Sequence, residues 1–375
     1  MNNIKKSLLQ ILLAAVLTAA LTGCETSELI KPSETGGVGR YPTPVTAETE
    51  ESENPLRPVE TDLSDTAHAE SQAPETTAPE TQSPETTPPT TDLSPTGNLP
   101  AASYTIENGK YIYHFGTPDR SGYNPAALNA MPKTLFDDCG TDTTGSWFFG
   151  KVKRDLATGE VTYVWDRWPN TLASLEKYGA IYRRHTEEKV CYLTFDCGYE
   201  NGWTAPILDT LKAKNAPGIF FVTGDYVDTA EAELRRMIDE GHLVGNHTEN
   251  HYNPTTLTAE VFREEIESVE NKMKTKLGYD LPMLYWRPPQ GATNDYVLAM
   301  SEAMGLRTVL WSYAYYDYDP ANQMDYATAL QRAKEALHPG CVYLLHAVSQ
   351  TNAEMLGELI DWIRAQGYEI RPLCD

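Results

Sequence analysis

Two histidines four residues apart are the first feature of this sequence that could do chemistry. They lie in the segment His247-Thr248-Glu249-Asn250-His251. On one turn of a helix the two imidazoles would share a face, which is a spacing suited to holding one divalent metal ion. The segment is not the metalloprotease pattern HExxH, because Glu249 stands one place too late for it. The pair predicts a metal site on a helical turn.

Polar residues also follow several predicted strands, each near the point where its strand ends. These residues are Asp196, Cys197, His247, His251, Arg287, Asp317 and His346. In parallel α/β folds the carboxyl ends of the strands meet on one face, where catalytic groups from different strands converge. We therefore expect these side chains to form a single site.

The elements that must position this site alternate between strand and helix from residue 175 onward. Apolar runs predict strands over 190–195, 218–222, 243–245, 284–286, 308–311 and 342–345. Helical periodicity predicts helices over 205–214, 231–240, 259–277 and 352–366. This alternation predicts an α/β fold with a parallel sheet. Residues 101–174 precede it as a small extension, with a β-hairpin over 104–115 that turns at Glu107-Asn108-Gly109.

The first 23 residues are typical of a signal peptide. Lys5 and Lys6 precede an apolar stretch over 8–21, which is too short to span a bilayer comfortably. The stretch ends in Leu21-Thr22-Gly23-Cys24, which resembles a bacterial lipobox. We expect an exported protein that is held on the extracellular face of the bacterial cell membrane through lipidated Cys24. An ordinary cleaved signal followed by an incidental cysteine is the alternative.

Residues 24–100 have the composition of a disordered tether. From residue 25 onward, 12 of 76 positions are Pro, and 15 acidic residues face 3 basic ones. Such a segment has too few apolar side chains to offset the entropy of ordering the chain. The whole chain of 375 residues carries a formal charge of −23, which argues against nucleic acid as a partner. A mean hydropathy of −0.45 excludes a polytopic membrane protein.

Four motifs between residues 175 and 375 together resemble a known family. In chain order they are Thr194-Phe195-Asp196-Cys197-Gly198, Asn246-His247-Thr248 with His251, Arg287-Pro288-Pro289-Gln290-Gly291, and Leu344-Leu345-His346. They resemble the motifs of the polysaccharide deacetylases, carbohydrate esterase family 4, whose catalytic part is the NodB-homology domain. Tyr199-Glu200-Asn201-Gly202 and the stretch 345–354 resemble the branch that acts on muramic acid in peptidoglycan.

The resemblance implies a distorted (β/α) barrel and metal-dependent hydrolysis of N-acetyl groups from a cell-wall glycan. It implies that Asp196 is the general base, that His346 protonates the leaving amine, and that Arg287 and Asp317 hold these two groups. The implied metal ligands are His247 and His251. The implied contacts to the oxyanion and the substrate are the backbone N–H of Gln290 together with Pro289 and Tyr199.

Cys197 departs from the family pattern, in which a second Asp commonly ligates the metal. A thiolate here would make a Cys-His-His site that favours Zn²⁺ over harder ions. Alternatively, Cys197 is a small neutral filler, and the two histidines bind the metal with water. We expect zinc, with other divalent ions open. Ala314 and Tyr318 also differ from the common pattern, which leaves the assignment of Asp317 open.

Three functions remain compatible with the sequence. The first is deacetylation of muramic acid or glucosamine in peptidoglycan. The second is the same chemistry on a chitin-like polymer, xylan or an exopolysaccharide. The third is glycan binding without catalysis by a lipoprotein that has lost its metal. We expect a monomer, in which Cys191 and Cys341 are either a disulfide or two buried free thiols.

Overall fold

The computed structural model describes residues 99–136, 138, 147, 152–163 and 168–374. The predicted signal peptide, Cys24 and the predicted tether through residue 98 lie outside the described residues. In the part that is described, no helix combines the length and the apolar character needed to cross a membrane. Lipidation and anchoring therefore stay predictions.

Eleven strands and nine α-helices are found among the described residues. The strands are β1 (Ala102–Glu107), β2 (Lys110–Phe115), β3 (Val152–Arg154), β4 (Val161–Tyr163), β5 (Val190–Cys197), β6 (Ile219–Val222), β7 (Leu243–Asn246), β8 (Tyr285–Trp286), β9 (Arg307–Thr308), β10 (Cys341–His346) and β11 (Glu369–Ile370). The helices are α1 (Pro125–Asn129), α2 (Pro169–Lys177), α3 (Thr204–Ala213), α4 (Gly224–Thr229), α5 (Glu231–Asp239), α6 (Ala259–Leu277), α7 (Asp295–Ala303), α8 (Tyr326–Glu335) and α9 (Gln350–Ala365). Short 3₁₀ turns occur at Pro254–Thr256 and Pro289–Gly291.

A seven-stranded parallel sheet carries the site. Its order is β10-β5-β6-β7-β8-β9, and β11 pairs with the start of β5. All eight residues of β5 are buried, which fits a strand covered on both faces. Its alternate residues enter two different apolar clusters, Phe195 in one and Tyr192 in the other. Successive side chains of a strand point to opposite faces, so β5 joins the two clusters.

The sheet curls so that its two edges approach each other. After β9 the chain runs on toward β10, where the Ser312 N–H donates to the Val342 carbonyl at 3.0 Å and the Leu344 N–H to the Tyr313 carbonyl at 2.8 Å. Because the chain turns toward β10 directly after β9, β9 is shorter than the strand predicted over 308–311. The α/β class and the distorted barrel are confirmed.

The predicted hairpin is present as β1 and β2, with Asn108 and Gly109 in the left-handed conformation that a tight turn requires. It packs onto the sheet domain, where the Tyr113 hydroxyl donates to the Gly241 carbonyl at 3.0 Å. Helix α2 lies across the boundary predicted between residues 174 and 175. The extension therefore shares an apolar cluster with the remainder of the fold.

Candidate active site

Arg287 and Asp196 form a buried ion pair at the centre of the site. Arg287 is fully buried, and its Nη1 donates to Asp196 Oδ1 at 2.6 Å. Its Nη2 donates to Thr194 Oγ1 at 2.6 Å and to the Leu310 carbonyl at 3.1 Å, and its Nε donates to the Val309 carbonyl at 3.1 Å. The bonds to Val309 and Leu310 use backbone carbonyls just past β9, so the curl of the sheet helps to fix the guanidinium.

The surroundings of Asp196 favour the ionised carboxylate. Burial raises the pKa of this carboxyl, but Arg287, and then His247 and His346, outweigh burial and hold the pKa below its ordinary value. Oδ1 is engaged by Arg287, while Oδ2 lies 3.5 Å from His247 Nε2. Oδ2 is therefore the oxygen placed to accept a proton beside the histidines.

The two histidines meet on a turn, and the prediction that they lie on a helical turn is wrong. Residues 247–251 leave the end of β7 without helical structure. Thr248 and His251 have φ angles of 68° and 57°, and the Thr248 N–H donates to Asn246 Oδ1 at 2.8 Å. This left-handed turn reverses the chain tightly enough to bring the ring centroids of His247 and His251 within 4.9 Å of each other.

This environment favours the neutral form of both imidazoles. His247 Nδ1 lies 2.9 Å from the Arg287 carbonyl, which can only accept, so Nδ1 carries the proton and Nε2 keeps its lone pair. Burial lowers the pKa of His247. Burial, and then His247, lower the pKa of His251 to about 3. A neutral imidazole is the form that binds a metal ion, so this pair fits a divalent cation.

Cys197 is placed away from this pair. It follows Asp196 in β5 and therefore points to the opposite face of the strand. It is fully buried in the apolar cluster that includes Leu208 and Tyr226. Burial, and then the charges of Asp196 and Glu200, raise the pKa of its thiol well above the ordinary value. Among the described residues no three His, Cys, Asp or Glu side chains group as a metal centre. The placement favours the neutral-filler alternative.

His346 is held by Asp317 at the end of β10. Its Nδ1 donates to Asp317 Oδ1 at 2.7 Å, and its backbone N–H donates to Asp317 Oδ2 at 2.8 Å. Burial lowers the pKa of His346, but the Asp317 carboxylate outweighs burial, and the pKa lies above its ordinary value. The side chain is 24 % exposed, so its other nitrogen can reach a substrate.

Two residues to which the sequence assigned no role complete this arrangement. Asn352 Nδ2 donates to Asp317 Oδ2 at 2.6 Å, and Asn352 Oδ1 accepts from the Tyr315 hydroxyl at 2.6 Å. Asn352 lies six residues past His346, in the first turn of α9. That position after a strand end is the signal that could have identified it.

The residues predicted to contact substrate are placed as follows. Pro289 is buried, whereas the Gln290 side chain is exposed and its backbone is left-handed, with φ 61°. Tyr199 is 37 % exposed after β5. Their contacts to an oxyanion or a sugar stay predictions.

The sheet register explains how these groups come together. Asp196 and His346 are direct partners on the neighbouring strands β5 and β10. His247 follows β7, and Arg287 follows β8, which is paired with β7. The carboxyl ends of parallel strands in one sheet therefore bring the Asp196 carboxylate, the imidazoles of His247 and His251, and the imidazole of His346 to one edge.

Comparison with known proteins identifies the family. A family model described as polysaccharide deacetylase matches residues 183–309, a range that contains Asp196, His247, His251 and Arg287. The chain is 43 % identical over 201 residues to the peptidoglycan-N-acetylmuramic acid deacetylase PdaA of Bacillus subtilis, covering 54 % of this chain and 76 % of that protein. This chain belongs to the polysaccharide deacetylase family. It is therefore a hydrolase of carbohydrate esterase family 4, as the motifs predicted.

One further member of the family and the solved structure of PdaA show the same relationship. The chain is 29 % identical over 198 residues to the peptidoglycan-N-acetylglucosamine deacetylase PgdA of Listeria monocytogenes, covering 53 % of this chain and 41 % of that protein. The solved structure of Bacillus subtilis PdaA, a family 4 carbohydrate esterase, superimposes with a TM-score of 0.56 at 38 % identity. That match covers 61 % of this chain and 94 % of the PdaA chain.

Proposed function

We propose that this protein hydrolyses the N-acetyl group of muramic acid in peptidoglycan, with the help of a divalent metal ion. The observation that carries the proposal is the meeting of Asp196, His247, His251 and His346 at one edge of the sheet, in a chain 43 % identical to a muramic acid deacetylase. N-acetylglucosamine of the same polymer is the alternative sugar. Other acetylated polysaccharides are the alternative polymers.

His247 and His251 are the residues that would hold the metal ion, and zinc suits two neutral imidazoles. Bound there, such an ion polarises the amide carbonyl and lowers the pKa of a nearby water. The remaining steps belong to the side chains of the chain itself.

Asp196 and His346 divide the proton transfers of amide hydrolysis. As water attacks the carbonyl carbon, Asp196 Oδ2 takes its proton, while Arg287 keeps Oδ1 engaged. His346 then gives the proton of its Nε2 to the amide nitrogen, the carbon–nitrogen bond breaks, and acetate and a free amine leave. Asp317 holds His346 through Nδ1 and so directs Nε2 toward the leaving group.

Backbone and aromatic groups around these residues suit a sugar substrate. The left-handed Gln290 offers its backbone N–H to the developing oxyanion, next to buried Pro289. Tyr199, Tyr316 and Tyr318 are 37 %, 47 % and 53 % exposed. An exposed tyrosine presents an apolar face on which a pyranose ring can stack and a hydroxyl that can bond its edge.

The N-terminal sequence supports a location at the cell wall. A lipidated Cys24 would hold the protein on the extracellular face of the membrane, and an acidic tether of some 75 residues would let the enzyme reach the surrounding polymer. Glycan binding without catalysis is the second candidate function, and the observation that favours it is Cys197 in place of the second Asp of the family motif.

Acetate release from purified peptidoglycan tests the proposal. We expect release by the full chain, its loss in excess chelator, and its recovery when zinc is added back. His247→Ala should remove the activity, while the surface variant Glu264→Ala should keep it. Activity that survives both the chelator and His247→Ala would refute the metal mechanism. Mass spectrometry of muramidase fragments then assigns the lost acetyl group to muramic acid or to glucosamine.

A further inference from the structure

The turn that carries the two histidines holds Thr248 in a backbone conformation that this residue does not favour. Thr248 and His251 both have positive φ, and a β-branched residue such as Thr248 is rarely found there. Strained backbone of this kind persists only where the surroundings over-determine it. Contacts from outside the turn must therefore hold it in place.

Helix α6 supplies such contacts through a buried carboxylate and two backbone carbonyls. The Glu265 carboxylate accepts hydrogen bonds from the Asn250 backbone N–H at 2.8 Å and from Asn250 Nδ2 at 2.7 Å. The Glu265 carbonyl accepts from the Glu249 N–H at 3.0 Å. The next carbonyl, that of Ile266, accepts from Asn246 Nδ2 at 3.0 Å. The helix thus bonds the turn both before and after Thr248.

A second carboxylate anchors the turn to the same helix from the opposite direction. Glu249 projects from the turn, where it accepts from Ser268 Oγ at 2.9 Å and pairs with Lys272 Nζ. The neighbouring Gly224 leaves the room this carboxylate occupies, because a Cβ at that position would overlap it. Residues 265, 268 and 272 share one face of α6, so the contacts form a single stripe.

Glu265 stands where an apolar residue would be the ordinary choice. It is only 4 % exposed, on the face of α6 that also buries Phe262 and Val269. Burying a carboxylate is unfavourable unless its hydrogen bonds are made, and the donors that this carboxylate meets belong to Asn250. The placement of this charge therefore serves the turn.

We propose that helix α6 clamps the turn 247–251 and holds His247 and His251 in ligand geometry before a metal ion binds, with Glu265 and Glu249 as its positioning residues. The inference rests on the proposed role of the two histidines as metal ligands. A turn that had to adopt its strained form on binding would spend part of the binding free energy on ordering itself. The clamp removes that cost.

Zinc affinity measured on the full chain tests the clamp. Glu265→Gln keeps the size of the side chain but sets an NH₂ group against one of the two Asn250 donors, so zinc should bind about tenfold more weakly. Glu264→Gln is the matched control, since Glu264 is the exposed neighbour on the same helix, and it should bind as the wild type does. Isothermal titration with zinc gives the affinities, and thermal unfolding without zinc shows that each variant is folded.

A double-mutant cycle identifies the path of the effect. If Glu265 acts through Asn250, Asn250→Ala should weaken zinc binding similarly, and the double variant should lose little more than either single one. Additive losses would mean that Glu265 acts by another route, which would overturn the clamp. Zinc binding by Glu265→Gln that matches Glu264→Gln would overturn it as well.

Zinc binding by the wild-type chain separates a failure of the clamp from a failure of the proposed metal site. If the folded wild-type chain binds no zinc, the proposed metal site is wrong, and the clamp is wrong with it.

If Glu265→Gln does not fold, Ser268→Ala takes its place, because it removes one hydrogen bond to Glu249 from a half-buried position. We then expect about threefold weaker zinc binding, and an unchanged affinity overturns the clamp.

Discussion

Replacing Asp317 by Asn removes a negative charge beside the proposed proton donor His346 while keeping the size of the side chain. Asp317 is 1 % exposed, and its two oxygens accept from His346 Nδ1, the His346 backbone N–H and Asn352 Nδ2 at 2.7, 2.8 and 2.6 Å. Asparagine has the same size but only one accepting oxygen. Its NH₂ group must face at least one former donor, so the variant removes the charge and at least one of the bonds.

The expected loss follows from what that charge does to His346. Burial alone lowers the pKa of His346, and the Asp317 carboxylate is the main group that raises it. In Asp317→Asn the carboxylate that raises the pKa of His346 is gone, and burial lowers this pKa unopposed. His346 then loses its extra proton and becomes a poor proton donor. A positioned general acid accelerates a reaction by about 10²–10⁴-fold. We therefore expect kcat at neutral pH to fall by that factor, or about 2.7–5.4 kcal/mol of barrier, with KM changed much less.

The pH profile gives the sign of the effect. The active enzyme has His346 protonated, so its activity falls as pH rises through the pKa of His346. Because Asp317→Asn lowers that pKa, the falling limb should move to lower pH. The Asp317–His346 pair should also contribute to the free energy of unfolding. This contribution is fully present below the pKa of an unfolded histidine, about 6.5, and it is lost as pH rises through the raised pKa of His346 in the folded state.

Acetate release measured across pH, together with thermal unfolding, checks both expectations. Asp319→Asn is the control, because the Asp319 carboxylate accepts from the Ala321 N–H at 2.9 Å, a bond that Asn can also make. If the kcat of Asp317→Asn stays within about threefold of the kcat of this control, and the falling limb of its pH profile does not move, then His346 is not a proton donor held by Asp317.

Three shorter experiments test the same site and its core. Cys197→Ala should bind zinc with an affinity within about twofold of the wild type, because the thiol lies among apolar side chains. A tenfold loss of zinc affinity, measured by titration, would show that Cys197 is a metal ligand after all. Gly224→Ala should weaken zinc binding by displacing Glu249, whereas Gly357→Ala, where a Cβ meets only ordinary contacts, should not. Cys191 and Cys341 are adjacent in register and free, so alkylation of the unfolded, unreduced protein should modify both, and a mass without those additions would show a disulfide.

Most of the sheet could be predicted because its strands are buried on both faces. Such strands form continuous apolar runs with polar residues at their ends, and β5 and β10 were recognisable for that reason. Helix α6 was predicted to the residue, since Thr258 caps its start and Gly278 ends it with φ 65°. Local signals of this kind need no knowledge of the rest of the fold.

The turn and its support could not be predicted because they depend on long-range contacts. A spacing of four residues is shared by helices and by turns, and the left-handed Thr248 has no signature in the sequence. Glu265 looks like one more surface charge on an amphipathic helix until α6 docks beside β7. Asn352 reaches Asp317 only after the chain has curled from β9 back to β10.

Two carboxylate–imidazole pairs in one site carry out opposite proton chemistry, and the third group beside each pair explains the difference. Asp196 faces His247 at 3.5 Å, but Arg287 holds the carboxylate, and burial keeps the imidazole neutral, so this pair can accept a proton. Asp317 bonds His346 at 2.7 Å with the neutral Asn352 as its further partner, so the imidazole takes the charge and the pair can donate a proton. Environments that push the pKa values of similar groups apart assign the base and the acid. A cation in place of Asn352 would compete with His346 for Asp317 and would leave the site with two bases and no acid.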